Sequence, residues 1–168
     1  MLRSIRIAFL SALIILGAGC GFQMRGSYTL PFESIYISGP EHSLTTINLK
    51  RAIRSSNARL ADNPKEAEAI FIPTGEFRMP IILSLSSSGR VRERRLRYVY
   101  GYRVTNNRGQ DLIPPSTIEL TRDLTYADSA VLAKEQEEAL LWQDMEQSLI
   151  QQLMRRLSAA KLQTIVAE

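Results

Sequence analysis

The chain is poor in the side chains that most enzyme active sites use. Its 168 residues include one cysteine, Cys20, and one histidine, His42. With Cys20 committed to lipid attachment, as argued below, a Cys-His pair and an ordinary zinc site are excluded. A Ser-His-Asp triad would need His42, and no G-x-S-x-G elbow accompanies it. We therefore expect no enzyme, no metal and no cofactor; carboxylates brought together only by folding stay open as a hydrolase site.

A strong excess of charge of one sign is also absent. Lys and Arg number 21 against 17 Asp and Glu, a net charge of +4. Arg3 and Arg6 lie in a segment that we expect to be removed, which leaves 19 − 17, or +2. This balance gives no support for a nucleic-acid protein. The length predicts one domain, and the hydrophobic fraction of 45% is typical of a globular one.

The N-terminus has the anatomy of a secretory signal. Arg3 and Arg6 precede an apolar run, Ile7–Leu16, which is followed by small residues and then by Cys20. The run is shorter than the ~20 apolar residues that span a bilayer. The pattern therefore predicts a signal peptide over residues 1–19 and not a transmembrane helix.

Small residues directly before a cysteine resemble the lipobox read by lipoprotein signal peptidase. The resemblance implies that Cys20 becomes the first residue and carries the lipid. Each buried methylene contributes about 0.8 kcal/mol, so several acyl chains hold the protein permanently. Gly21 stands where an Asp would retain such a protein at the inner membrane. We therefore expect an anchor in the outer membrane, on its periplasmic side.

The remaining chain predicts a short tether and a single α+β domain. We assign residues 20–32 to the lipidated tether and 33–168 to the domain. Hydrophobic periodicity gives the order β-α-β-β-β-α. It predicts strands over 34–38, 69–85, 91–105 and 117–126, and helices over 43–56 and from Asp128 or Ser129 onward. This predicts a four-stranded, mostly antiparallel sheet with two helices packed on one face.

One loop-strand region is unusually rich in arginine. Guanidinium groups suit phosphate, because they donate two parallel hydrogen bonds. Tyrosines alternate with these arginines, which in a cytoplasmic protein would indicate single-stranded nucleic acid. Export argues against that partner and favours lipid A of lipopolysaccharide, whose phosphates lie beside acyl chains. The alternative is a hydrated strand face. The arginines are Arg90, Arg92, Arg94, Arg95, Arg97 and Arg103.

Two motifs resemble the LptE family, also called RlpB. The first is Cys-Gly-Phe-Gln-Met-Arg-Gly over residues 20–26. The second runs from Leu124 to Leu157, where a strand that ends in aromatic and Asp residues leads through Ala-x-x-Ala-Lys-Glu-x-Glu into a long helix that ends in Leu-Met-Arg-Arg-Leu. The resemblance implies a non-catalytic plug, in a 1:1 complex, inside an LptD-type outer-membrane β-barrel that delivers lipopolysaccharide to the cell surface.

The same resemblance directs one loop, Ser86 to Arg90, and Lys134 toward lipopolysaccharide. The candidate lipopolysaccharide-binding residues are Arg90, Arg92, Arg94, Arg95, Arg97 and Lys134. A different role stays open at this point: a structural or accessory lipoprotein of another envelope machine, serving barrel assembly or tethering peptidoglycan.

Overall fold

The computed structural model describes residues 28–126 and 131–160 of the chain. The predicted signal peptide, the lipidation site Cys20 and the opening motif lie outside these residues, as does the helix start predicted at Asp128 or Ser129.

The described residues form one sheet and two helices, with a short 3-10 turn. The strands are β1 (Ser34–Ile37), β2 (Arg59–Leu60), β3 (Ala69–Leu85), β4 (Val91–Thr105) and β5 (Asp111–Thr125). The helices are α1 (Leu44–Arg54) and α2 (Val131–Ser158), and the turn is Pro64–Glu66. No described helix is both long and apolar enough to cross a membrane.

The sheet has the strand order β2-β1-β3-β4-β5. β1 runs parallel to β2 and to β3, whereas the long strands β3, β4 and β5 pair antiparallel. The predicted α+β class is confirmed. The predicted count of four strands is wrong by one, because β2 has only two residues and leaves no periodic pattern.

The long strands match their predicted positions except at the start of β5. It begins at Asp111 and not at Thr117, and it contains Pro114 and Pro115. Proline cannot donate to a ladder, but β5 is an edge strand, where that loss is tolerated. The predicted cap of α1 is present, since the Ser43 side chain accepts a hydrogen bond from the Thr46 amide.

The core lies between the sheet and the helices. The row of alternate β4 residues from Leu96 to Val104 is at most 3% exposed. It faces the apolar stripe of α2, which includes Met145 and Leu149. Two residues of the stretch assigned to the tether, Leu30 and Phe32, are buried in the same core.

A bulge in β3 reverses which residues of the strand face the helices. Pairing with β4 slips between Pro73 and Gly75, so Thr74 is extra. Gly101 of β4 leaves room for it, because a Cβ there would come within 2.5 Å of the Thr74 Oγ1. As a consequence, Phe71 faces the core, whereas Phe77, an even number of residues later, faces away from the helices.

Candidate functional site

The parts of β3 and β4 that extend beyond β1 form a long β-hairpin, which we call the distal hairpin. It comprises residues 77–85 of β3, the turn 86–90 and residues 91–97 of β4. Gly89 adopts a positive φ of 77°, and the Ser86 amide donates to the Arg90 carbonyl at 2.7 Å. The Ser-Ser-Ser-Gly sequence therefore closes a tight turn and places the arginines directly after it.

The distal hairpin exposes an unusual amount of apolar surface. β1 pairs only with residues 69–71 of β3, so the following residues have no strand on that side within the described chain. Contiguous apolar exposure of this kind marks an interaction surface. The exposed residues are Phe77 (59%), Met79 (36%), Ile81 (37%), Ile82 (56%), Leu83 (44%) and Leu85 (56%).

On the face turned away from the helices, apolar and cationic residues form adjacent columns. Met79 of β3 lies opposite Arg97 of β4, and Ile81 lies opposite Arg95. Neighbouring strands are about 4.8 Å apart, so each of these apolar residues has an arginine beside it on the next strand. We call this the outer face. The described residues of both helices pack on the opposite side.

The arginines of the outer face are paired with acids of β5. Arg95 donates two hydrogen bonds to Asp123, at 2.7 and 2.8 Å, and Arg97 donates two to Glu119 at the same distances. These hydrogen bonds lower the pKa of Asp123 and of Glu119 below their ordinary values. Much of the cationic column is therefore neutralised by its neighbours.

Arg94 lies on the opposite side of β4 and contacts α2. Its Nη1 donates to the Glu138 carboxylate at 2.7 Å, and its guanidinium lies 5.1 Å from the ring centre of Tyr126. Burial raises the pKa of Glu138, but hydrogen bonds from Tyr126, Arg94 and Trp142 outweigh it and leave that pKa lowered. Arg94 thus ties the distal hairpin to the helix.

The other candidate cations are Arg92 and Arg90, near the tip, and Lys134 on α2. Arg92 is exposed, and within residues 28–126 and 131–160 its side chain makes no hydrogen bond or ion pair. Arg90 is exposed at the turn. Lys134 pairs with Glu137 at 2.7 Å along α2. The structure therefore divides the six predicted residues among a paired outer face, a helix contact, an exposed tip and, for Lys134, an ion pair along α2.

A polar network between the distal hairpin and the helices was not predicted from the sequence. Arg78 of β3 donates to the Tyr98 hydroxyl at 2.9 Å and to Glu146 of α2 at 3.2 Å. Tyr98 in turn donates to Glu76 at 2.7 Å and contacts the Thr45 hydroxyl of α1 at 2.9 Å. Burial raises the pKa of Tyr98 to about 12, so the phenol stays protonated.

That network joins β3, β4, α1 and α2 through one guanidinium. A usable signal was present in the sequence, because Glu76 and Arg78 place opposite charges two residues apart, on the same side of a strand. Only the bulge at Thr74 puts that side toward the helices.

Comparison with known proteins agrees with this architecture. The family model described as LptE, lipopolysaccharide-assembly, matches residues 32–157, more than half of the chain. The LPS-assembly lipoprotein LptE of Yersinia enterocolitica is 28% identical over 167 residues, covering 94% of this chain and 77% of that protein.

Solved structures show the same fold. A lipoprotein B of Nitrosomonas europaea has a TM-score of 0.71 and 38% identity, covering 83% of this chain and 91% of that one. The rare lipoprotein B of Shewanella oneidensis, at 21% identity, has a TM-score of 0.66 and covers 75% of this chain and 94% of its own. At that identity the likeness concerns the fold alone. The predicted family is confirmed, and the chain belongs to the LptE family of lipopolysaccharide-assembly lipoproteins.

Proposed function

We propose that this protein is anchored in the outer membrane through lipid on Cys20, sits inside an LptD-type β-barrel and assists the passage of lipopolysaccharide to the cell surface. It acts by binding and assembly, without a catalytic step. The observation that carries the proposal is the distal hairpin, where a column of exposed apolar side chains adjoins arginines and ends at an exposed basic tip.

The chemistry of that hairpin suits an anionic amphiphile. Burying apolar surface contributes roughly 25 cal/mol per Å², so Phe77, Met79 and Ile81 offer a favourable seat for acyl chains. A phosphate needs donors that are not already occupied. Arg92 at the tip meets that need without breaking an ion pair, and Arg90 adjoins it. Arg95 and Arg97 would first have to release Asp123 and Glu119.

The uncovered edge of β3 supports a protein partner as well. From Ile72 onward that edge presents backbone groups with no described strand beside it, and such edges are ordinarily blunted or covered. Enclosure by a barrel would cover both the edge and the outer face. The LptE name of the family and of the Yersinia relative supports a role in lipopolysaccharide assembly.

The first test is the identity of the partner. Tagged protein crosslinked in intact outer membranes should recover one large β-barrel protein at near-equal amount. Recovery of cell-wall fragments or of a different envelope complex, without a barrel, would instead assign the protein to an accessory or tethering role.

The second test separates the arginines. Arg92→Gln should weaken lipopolysaccharide binding by ~10-fold or more, the usual loss for one charge-assisted hydrogen bond. Arg97→Gln is the matched control on the same strand, and it should have a smaller effect because Arg97 is already paired. Equal losses for the two variants would contradict the role assigned to the tip. Failure of metabolic fatty-acid labelling in Cys20→Ala tests the anchor separately.

A further inference from the structure

A second site lies at the other end of the sheet, where β1 and β2 meet α1. A cleft of about 180 Å³ opens at the carboxyl ends of these two parallel strands. Its lining includes Tyr36, Leu60 and Asp62 from the strand side and Lys50 and Arg54 from α1. Carboxyl ends of parallel strands are where open sheets commonly place ligands.

Four charged side chains surround this cleft. Lys50 and Arg54 are one turn apart on α1, whereas Glu41 and Asp62 come from the loops after β1 and β2. Within the described part of the chain, none of the four makes an ion pair or a side-chain hydrogen bond. The two cations and two anions therefore face one cavity without neutralising each other.

Opposite charges on the outer face, in contrast, form ion pairs. Three arginines of β4, Arg95, Arg97 and Arg103, donate to acids of the neighbouring strand β5 at 2.7–3.0 Å. In the cleft the opposite charges are held apart around a space that is smaller than a drug-sized pocket. A small ligand that carries both signs of charge would therefore pair with all four side chains.

The shape of the cleft is fixed by the backbone around it. Gly39 belongs to its lining, and a Cβ at that position would come within 2.6 Å of Thr46 Oγ1 and 3.3 Å of Pro73 Cγ. A larger residue would push the loop away from α1.

We propose that this cleft binds a small zwitterion of the phosphoethanolamine class, with the phosphate on Lys50 and Arg54 and the ammonium on Glu41 and Asp62. The cations supply donors for the phosphate oxygens, and the carboxylates accept the N–H groups of the ammonium. A trimethylated ammonium has no N–H to donate, so the site discriminates phosphoethanolamine from phosphocholine. The proposal is independent of the lipopolysaccharide role.

The test uses the chain from residue 20 onward with Cys20→Ala, which retains every described core residue from Leu30 to Leu157. Amide chemical shifts of Gly39, Leu60 and Ala61 are followed while phosphoethanolamine, phosphocholine, inorganic phosphate or ethanolamine is added. We expect saturable shifts with phosphoethanolamine and at least ~10-fold weaker binding of the other three, as expected for each lost charged hydrogen bond.

Two double variants and one control locate the charges. Lys50→Gln with Arg54→Gln should weaken phosphoethanolamine binding by at least ~10-fold. Glu41→Gln with Asp62→Asn should remove the preference over phosphocholine. Arg51→Gln is the matched control, because Arg51 lies on the same helix, outside the lining, and bonds only to Asn48. It should bind as the parent does.

Three results would overturn the site: no saturable shifts with phosphoethanolamine, equal affinity for phosphocholine, or equal losses in Arg51→Gln and in the Lys50 and Arg54 double variant. Vesicles of phosphatidylcholine with and without phosphatidylethanolamine then identify the source. Binding that requires the ethanolamine lipid supports a lipid headgroup, and binding of the free compound alone supports a soluble metabolite.

Discussion

Both halves of β3 carry apolar residues, but those of the first half are buried or half-buried and those of the second half are exposed. Phe71, in the first half, is fully buried and stacks on Tyr102 with ring centres 5.4 Å apart. Phe77, in the second half, is 59% exposed. The first half has β1 on one edge and β4 on the other, whereas the second half has only β4. One strand therefore supplies the core at one end and an interaction surface at the other.

The bulge at Thr74 is what separates the two halves. Without it, the alternation of the strand would place Phe71 and Phe77 on the same face. With the bulge, Glu76 and Arg78 lie on the core face of the second half, and Phe77, Met79 and Ile81 lie on the outer face. An apolar residue in a strand of this protein is therefore not necessarily a core residue.

The same substitution made in both halves of β3 tests this difference in burial most directly. Phe71→Ala removes a buried ring and should reduce the free energy of unfolding by about 3–5 kcal/mol. Phe77→Ala should change it by no more than ~0.5 kcal/mol. Urea unfolding followed by circular dichroism measures both.

Binding should show the reverse order in folded protein. Phe77→Ala should lose lipopolysaccharide or barrel capture, while a conservative core change such as Phe71→Leu keeps both. If Phe77→Ala destabilised the protein as much as Phe71→Ala, the distal half of β3 would be part of the core after all.

A smaller effect is expected from the polar network that holds the second half to the helices. Glu146→Ala removes the carboxylate that accepts hydrogen bonds from Arg78 and Asn48, and Arg78 keeps Glu76 as its carboxylate partner, at 3.2 Å. Because Glu146 is 6% exposed, the loss should be about 1–3 kcal/mol of unfolding free energy. Glu137→Ala, on the exposed side of the same helix, should have almost no effect.

Hydrogen exchange gives a second readout for that variant. If the network ties the helices to the sheet, Glu146→Ala should raise exchange of α2 amides near residue 146 more than exchange in β1. Uniform exchange across the fold would show that Glu146 contributes only to global stability.

The sequence was most informative where one strand carries its own periodic pattern. The alternation along β4 separates the row from Leu96 to Val104 from Arg95, Arg97 and Arg103, and the structure buries the first set and places the second on the opposite face. The α+β class and the order of the long elements followed from similar local patterns. β2 did not, because two residues have no periodicity.

Properties that depend on register between strands were out of reach. The arginines read as one cluster, but Asp123 lies opposite Arg95 only because the β4–β5 register puts it there. Likewise, the exposure of Phe77 to Leu85 depends on how soon β1 ends and on a bulge whose effect on facing requires the partner strand. The strand contains Pro73, Gly75 and Pro80, residue types that are typical of bulges and edges, and the structure has both features.

The smallest expected effect concerns the ion pairs of the outer face, and it bears directly on function. The pKa values of Asp123 and Glu119 are lowered by Arg95 and Arg97. A lowered carboxylate pKa contributes stability above the unfolded value, about 4, and loses it as pH falls through the folded pKa. Both pairs are solvent-exposed, so the unfolding midpoint should stay constant from pH 7 to about 5.

Carbon-detected titration of the Asp123 carboxylate tests this at the residue itself. Its midpoint should lie below the ordinary value in the parent and return to it in Arg95→Gln, with no measurable change in stability at neutral pH. A marked loss of stability in Arg95→Gln would make the outer-face pairs structural. If stability is unchanged, the carboxylates hold these arginines only weakly, and a phosphate that approaches along the apolar column could exchange with Asp123 at little cost.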